Sequence, residues 1–404
     1  MTLLLRGAAV IDGTGADQQR LDLAIRGERI ELVGPARGAA DTVVDLGGLT
    51  LLPGLIDAHT HFGIVDLSEG HTPPAVTAAR IFRNCELALD AGFTTVRDTG
   101  GIDGGVATAV DLGLVRGPRI HPSGPLLCQS GGHGDTGNPF APFGHRHHYG
   151  VPGLAETVMP CDGPDQVRLA ARTVLRRGAT QVKVCVSGGV VSLTDRIEDA
   201  QFSVQELMAA VEEADARDTY VTAHAHNVRG IRNGLEAGVQ CFEHGTFLDE
   251  ETVARMAAAG AYLVPTFAVT RIFAEKAEEW GIPASILPRM NGMEEAMARS
   301  LKLARDAGIV IGSGSDILGP EQNRRGLELV IRSQLGDPME AIVSATSVNA
   351  HIIRRQDDLG TVEAGKLADL IAVDFDPLSA PELFDNPSRV RLVVKGGEVV
   401  KDTR

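Results

Sequence analysis

The sequence has no run of lysine and arginine, and its formal net charge is −15. Without a basic stripe a chain has little with which to neutralise phosphates, so nucleic acid and anionic membrane surfaces are not expected as partners. A small-molecule substrate is the expectation. No uninterrupted apolar stretch approaches the length of a membrane span. The start, MTLLLRGAAVIDG, offers three leucines followed at once by Arg6, which lacks the basic leader and longer apolar run of a secretory signal. Cysteine is scarce: Cys85, Cys128, Cys161, Cys185 and Cys241 are scattered, odd in number and without a C-x-x-C pair. That usage argues against a disulfide framework and suits reduced thiols filling a core, so a cytoplasmic location is expected.

What is present is ordinary globular material. The 404 residues are 43% hydrophobic and 23% charged, enough for one large domain with an appendage or for two to three domains. Residues 2 to about 50 read as short strands ended by glycine, in LLLRGAAVIDG, LDLAIRGERIELVG and ADTVVDLGG. The last forty residues look alike, with KLADLIAVDFDP and VRLVVKGGEVVKD, so residues 1–54 and 351–404 are expected to form one small β-sandwich domain that brackets the middle.

Between the ends, strand-length apolar runs alternate with segments of helical period. The expected strands are LIDAHTHF, FTTVRDTG, RIHPSGPL, TQVKVCVSG, YVTAHAHN, CFEHGTF, AYLVPTFAV and IVIGSGSD. Eight strands alternating with helices imply parallel pairing, and residues 55–350 are read as an α/β fold, a (β/α)8 TIM barrel. An open doubly wound sheet stays as the alternative, because periodicity counts elements without showing closure. Two segments break the pattern. One is CQSGGHGDTGNPFAPFGHRHHYGVPG, long and rich in Gly, Pro and His, as functional or disordered loops are. The other, from about Arg271 to Gly308, reads as two helices broken near Pro283 and Pro288, without a catalytic signal.

In a parallel barrel the active site lies at the C-terminal strand ends, so polar residues there are candidates. In LLPGLIDAHTHFG, His59 and His61 alternate and share one face of a strand. They could share a metal ion, or cap the strand and bond to a loop. Strand four carries Lys183 between Val182 and Val184, where an isolated ammonium is costly. Either it pairs with a carboxylate such as Glu243, or burial lowers its pKa and the neutral amine takes up carbon dioxide as a carbamate with one oxygen for each of two metals. Strand five ends with His224 and His226, strand six with Glu243 and His244, and strand eight with Asp316.

Together the motifs LPGLIDAHTHF, VKVCVSGG, AHAHN, FEHG and GSD, with the ending GTVEAGKLADLIAVDFDP, resemble the amidohydrolase superfamily, in its imidazolonepropionase-related branch of peptidases and amidases. The resemblance implies two divalent metal ions, zinc before manganese or cobalt. It implies that His59 and His61 bind the first, that carboxylated Lys183 bridges, that His224 and His244 bind the second, and that Asp316 contacts the first. It also implies a water made acidic by the two ions, whose proton Asp316 takes and returns to the departing amine.

Some dipeptidases of this branch that cleave before proline carry tyrosine where His226 stands. The departure moves the expectation toward hydrolysis of N-acyl amino acids, including ochratoxin-type amides. His226 is read as a substrate contact, His133 matches a substrate-contacting position, the SGGVVS turn is expected at the mouth, and Arg196 is a candidate carboxylate clamp. His145, His147 and His148 lack a carboxylate or cysteine partner and read as a solvated lid, not a third metal site. Arg97 and Asp98 read as a structural ion pair. The expected activity is hydrolysis of a peptide or amide bond, with a cyclic-amide or carbamate hydrolase as the alternative. A non-catalytic scaffold is a remote third, since every ligand position is filled. A homo-oligomer is expected.

Overall fold

Most of the expected barrel segments are rich in β-branched or aliphatic residues and are buried on both faces, as a parallel sheet covered by helices requires; the short eighth strand, with Val310 exposed, is the exception among those that are apolar throughout. The computed structural model describes residues 2–35, 40–66, 72–135, 150–151, 153–192, 194–280 and 286–404. All eight segments form strands, at Leu55–Thr60, Phe93–Asp98, Arg119–Pro122, Val182–Cys185, Val221–Asn227, Cys241–Phe247, Tyr262–Val264 and Val310–Ile311. Strands one to three pair in parallel, as do strands four to eight.

Two seams close the ring. Between strands three and four, Thr180 N donates to Pro122 O at 2.8 Å and the Gln181 side-chain amide donates to His121 O at 3.1 Å. Between strands eight and one, Ala58 N donates to Ser313 O at 3.0 Å and Asp316 N to His59 O at 2.8 Å. Asn349 latches this second seam, its amide donating to Ile56 O at 2.6 Å and Ser313 O at 2.8 Å. The closed ring replaces the open doubly wound alternative. Polar residues at helix starts set several of the outer helices. Ser203 and Glu206 form a capping box on Val204–Asp215, and Asn227 and Asp249 cap Val228–Ala237 and Glu250–Ala258.

The two chain ends pair as expected. Strands Thr2–Val10, Gln19–Arg26, Arg29–Val33, Thr42–Asp45 and Thr50–Pro53 share one eight-stranded sheet with Leu370–Val373, Val390–Lys395 and Glu398–Asp402. The join is antiparallel, Leu370 opposite Pro53 and Val373 opposite Thr50. Its buried side chains, among them Leu5, Leu23, Leu370 and Val394, form their own cluster.

Three boundaries differ from expectation. RIHPSGPL is two strands, Arg119–Pro122 and Leu126–Cys128, parted at Gly124, whose φ of 71° is open to glycine. AYLVPTFAV stops as a strand at Val264, and Phe267 starts the helix Phe267–Lys276. Pro265 carries no N–H with which to continue a ladder. In the insertion, Pro288 sits in the first turn of the short helix Leu287–Met290, where proline is tolerated, and the break falls at Gly292 (φ 73°) before Met293–Asp306. Pro283, His145, His147 and His148 lie outside the described residues. Among the described residues no helix is long and apolar enough to cross a membrane.

Candidate metal centre

The ring brings the strand-end histidines together with their roles already divided between nitrogens. His61 Nδ1 lies 2.7 Å from Gly100 O, a carbonyl that only accepts, so Nδ1 carries the proton and Nε2 a lone pair. His59 Nδ1 lies 2.7 Å from Glu243 Oε2, which orients that ring in the same way. The two Nε2 atoms then face each other at 3.2 Å, with Asp316 Oδ1 at 3.4 Å from His59 and 3.1 Å from His61. On the other side, His224 Nδ1 faces His244 Nε2 at 2.9 Å, while His224 Nε2 lies 3.3 Å from Gly188 O and His244 Nδ1 lies 2.7 Å from Thr266 Oγ1. Two pairs of imidazole nitrogens thus converge, each pair needing a proton or a cation between its members. Ligand atoms of His59, His244 and Asp316 lie within 4.8 Å of one another, as do those of His224, His226 and His244.

Lys183 is 1% exposed and its Nζ has no hydrogen-bond partner. Burial lowers its pKa, against the opposing pull of Glu243. The expected alternative of a Lys183–Glu243 pair is not formed, because Glu243 is already engaged by His59 Nδ1, by Arg97 Nη2 at 2.7 Å and by Thr222 Oγ1. An orphaned buried amine that lines the same cavity as two convergent donor pairs fits the chemistry of a carboxylated lysine serving as a metal ligand. Burial, then Lys183, holds His59 well below the usual imidazole range, and burial does the same to His224 and His244. At His61 burial acts in the same direction, but the bond it donates to Asp316 when protonated, and the charge of that carboxylate, outweigh it and raise the pKa. Burial pushes Asp316 up, yet His59 and His61 hold it below the ordinary carboxylate value.

The backbone is bent to make this arrangement. His244 and Asp316 have φ of 67° and 54°, in the left-handed region that costs a side-chain-bearing residue energy. In a regular strand Glu243 and His244 would face opposite sides. The left-handed residue breaks the alternation, and both reach the centre. A Cβ on Gly314 would fall 2.5 Å from His59 Cβ, so strand eight approaches strand one only through that glycine.

A model of the amidohydrolase family matches residues 50–400. The chain belongs to the amidohydrolase family. Among curated proteins, the ochratoxinase of Aspergillus niger is 34% identical over 421 residues, covering 99% of this chain and 87% of the relative. A solved prolidase complexed with N-methylphosphonate-L-proline has a TM-score of 0.93 and 35% identity, covering 100% of both chains. A Xaa-Pro dipeptidase with methionine bound in its active site has a TM-score of 0.89 and 31% identity, covering 99% of this chain and 100% of the other. The chain is thus a hydrolase acting on carbon–nitrogen bonds.

In this amidohydrolase the site is the floor of a cavity of about 780 Å³. His59, His61, Lys183, His224, His244, Asp316, His226 and His133 all reach it. His226 Nδ1 is held by Thr246 Oγ1 at 2.7 Å, and its ring stacks on His244 at 4.8 Å. His133 stacks on His224 at 4.1 Å. Val190 and Val191 of the SGGVVS turn line the cavity as expected.

Arg196 does not reach it. Its side chain is 76% exposed and paired with Asp199 at 2.8 Å, so the expected carboxylate clamp is corrected to a surface ion pair. Nor do Arg97 and Asp98 pair with each other. As consecutive strand residues they diverge, Arg97 to Glu243 and Ala58 O, Asp98 to the amides of Phe62 and Gly100.

Two features of this amidohydrolase escaped sequence reasoning. The orienting role of Glu243 was hidden by strand alternation, although it stands beside His244 in FEHG. The helical insertion, read as silent, supplies the apolar wall through Phe273, Trp280, Ile286, Met290, Met293 and Met297. From the same insertion Arg289 Nη1 donates to Ser192 O at 2.6 Å, tying the wall to the turn after strand four.

Proposed function

We propose that this chain is a binuclear metal-dependent amidohydrolase that cleaves the peptide or amide bond of a dipeptide or an N-acyl amino acid. The observation that carries the reading is the buried, unpartnered Lys183 amine beside two facing pairs of imidazole nitrogens. His59, His61 and Asp316 would hold one ion, His224 and His244 the other, and a carbamate on Lys183 would bridge them. Zinc suits the imidazole and carboxylate set. Two such ions supply Lewis acidity, which polarises a carbonyl and makes a water acidic.

The side chains do the rest. Asp316, kept ionised by His59 and His61, takes the proton of the attacking water and returns it to the amine nitrogen as the bond breaks. His226, with Nδ1 fixed by Thr246, offers Nε2 to a substrate oxygen. His133, on the neighbouring side of the cavity, contacts the substrate as well, and the wall around Phe273 and Met297 seats an apolar group and keeps water out. The relatives named as ochratoxinase, prolidase and Xaa-Pro dipeptidase support an amide or peptide substrate. The same reading takes residues 1–54 and 351–404 as a β-sandwich domain beside the barrel of 55–350, in a cytosolic homo-oligomer.

The test is a panel of dipeptides, N-acyl amino acids, lactams and carbamates, varied at the C-terminal residue and assayed with zinc, manganese or cobalt. Close to two ions per purified chain and turnover of the linear amides are expected. A metal-free chain, or turnover confined to lactams or carbamates, overturns the reading.

A further inference from the structure

Asp195 is a buried carboxylate that the chemistry above does not use. Its side chain is 2% exposed, and Oδ1 has no hydrogen-bond partner. Oδ2 accepts from Gln201 Nε2 at 2.8 Å. Gln201 Oε1 in turn accepts from His133 N at 3.0 Å, so one amide side chain ties the carboxylate to the backbone of the histidine. His133 Nδ1 is sealed from solvent, also has no hydrogen-bond partner, and lies 3.9 Å from Asp195 Oδ2. Asp195 Oδ1 and His133 Nδ1 are thus each buried without a partner, on side chains that come within 3.9 Å of one another through Oδ2, and a bond between the two side chains would relieve the desolvation cost of the ring nitrogen.

The turn after strand four builds the seat for both. A Cβ on Gly188 would lie 3.1 Å from Asp195 Cγ, and a Cβ on Gly189 would lie 2.1 Å from His133 Cε1. Two consecutive glycines therefore let the carboxylate and the ring approach one stretch of backbone. His224 packs on the ring by stacking at 4.1 Å. With Nδ1 sealed, Nε2 is the nitrogen that His133 has left for the cavity.

The geometry points to Asp195 as a positioning residue. Seated by Gln201, it takes the Nδ1–H of His133 in the working enzyme, closing a 3.9 Å gap of the kind that tightens on substrate binding, and so fixes Nε2 toward the substrate. This inference rests on the proposed amide hydrolysis for its kinetic test, and on nothing beyond the chain itself for its spectroscopic one.

The kinetic test is Asp195→Asn in the zinc-loaded protein, alone and in a His133→Ala background. The single variant raises KM about tenfold with kcat changed far less. In the His133→Ala background the same substitution changes KM less than about twofold, as coupling through one partner requires. An equal loss in both backgrounds, or a loss in kcat alone, overturns the assignment.

The spectroscopic test needs no substrate. Nitrogen-15 labelling of histidine reports which ring nitrogen bears the proton, and the His133 signals are those lost in His133→Ala. A proton on Nδ1 in the wild-type protein supports the assignment even if Asp195→Asn does not fold. A wild-type ring protonated on Nε2 alone overturns it. If no panel member is turned over, the functional reading fails while this measurement still decides the role of Asp195.

Discussion

His59 donates through Nδ1 to Glu243 at 2.7 Å, and the same carboxylate carries the fully buried Arg97. One glutamate therefore orients a candidate metal ligand and neutralises a guanidinium in the centre of the barrel. Glu243→Gln leaves Arg97 buried without an anion, and a loss of about 3–5 kcal/mol in stability is expected. Metal affinity falls about 10- to 100-fold with the loosened His59 ring. Urea denaturation and zinc titration against a competing chelator check the two effects separately.

Lys183→Ala removes the buried amine on which a bridge would form. Metal content is expected to fall from about two ions per chain to one or fewer, with activity down at least about 100-fold. Elemental analysis of the purified variant reads the first and turnover reads the second. Full activity in this variant removes Lys183 from the chemistry.

Gly189→Ala drives a methyl group into the His133 ring, which is already packed against His224. Overpacking of this kind costs about 1–3 kcal/mol. The expected signature is a raised KM with metal content unchanged, measured on the same preparation.

The wall predicts selectivity. Phe273→Ala enlarges the apolar side of the cavity away from the metal ligands, so turnover of amides with bulky apolar groups should fall several-fold more than turnover of small ones. A uniform decrease across the panel would place Phe273 in general stability.

Glu328 sets a pH dependence of folding. Burial pushes its carboxyl from the ordinary 4.5 up to about 8, against the opposing charge of Arg332. Between these values the folded chain binds the proton that the unfolded chain has released, so stability falls as pH rises through the window. In Glu328→Gln this dependence is absent, and the stability of the variant relative to the wild type therefore increases from pH 5 to pH 8. Urea midpoints at the two pH values test the sign.

The barrel was legible because its strands are short apolar runs whose period differs from that of the helices between them, and because polar residues gathered at their ends. The candidate site was legible in part for the same reason: His59 with His61 and His224 with His226 stand two apart and share a face, whereas their division into metal ligands and substrate contacts came only with the family resemblance. Glu243 was not, because its position depends on the left-handed φ of His244, a backbone property that no residue pattern announces. Arg196 misled because a cation near a glycine turn is visible in sequence, while its partner Asp199, three residues on in the same turn, had first claim on it. The Phe273 to Met297 wall looked like any amphipathic helix pair. Which surface such a pair covers is decided by the tertiary fold.

Arg289 joins two stretches of chain about a hundred residues apart, the turn at 189–192 and the insertion, above a floor to which it contributes nothing. On the proposed function, cutting and choosing would be separable in this chain: the floor of the cavity belongs to the strand ends, and its apolar wall to pieces that hold none of the candidate ligands. The guanidinium of Arg289 keeps the two pieces in register, so a change at this one side chain would shift the wall while leaving the floor as it is.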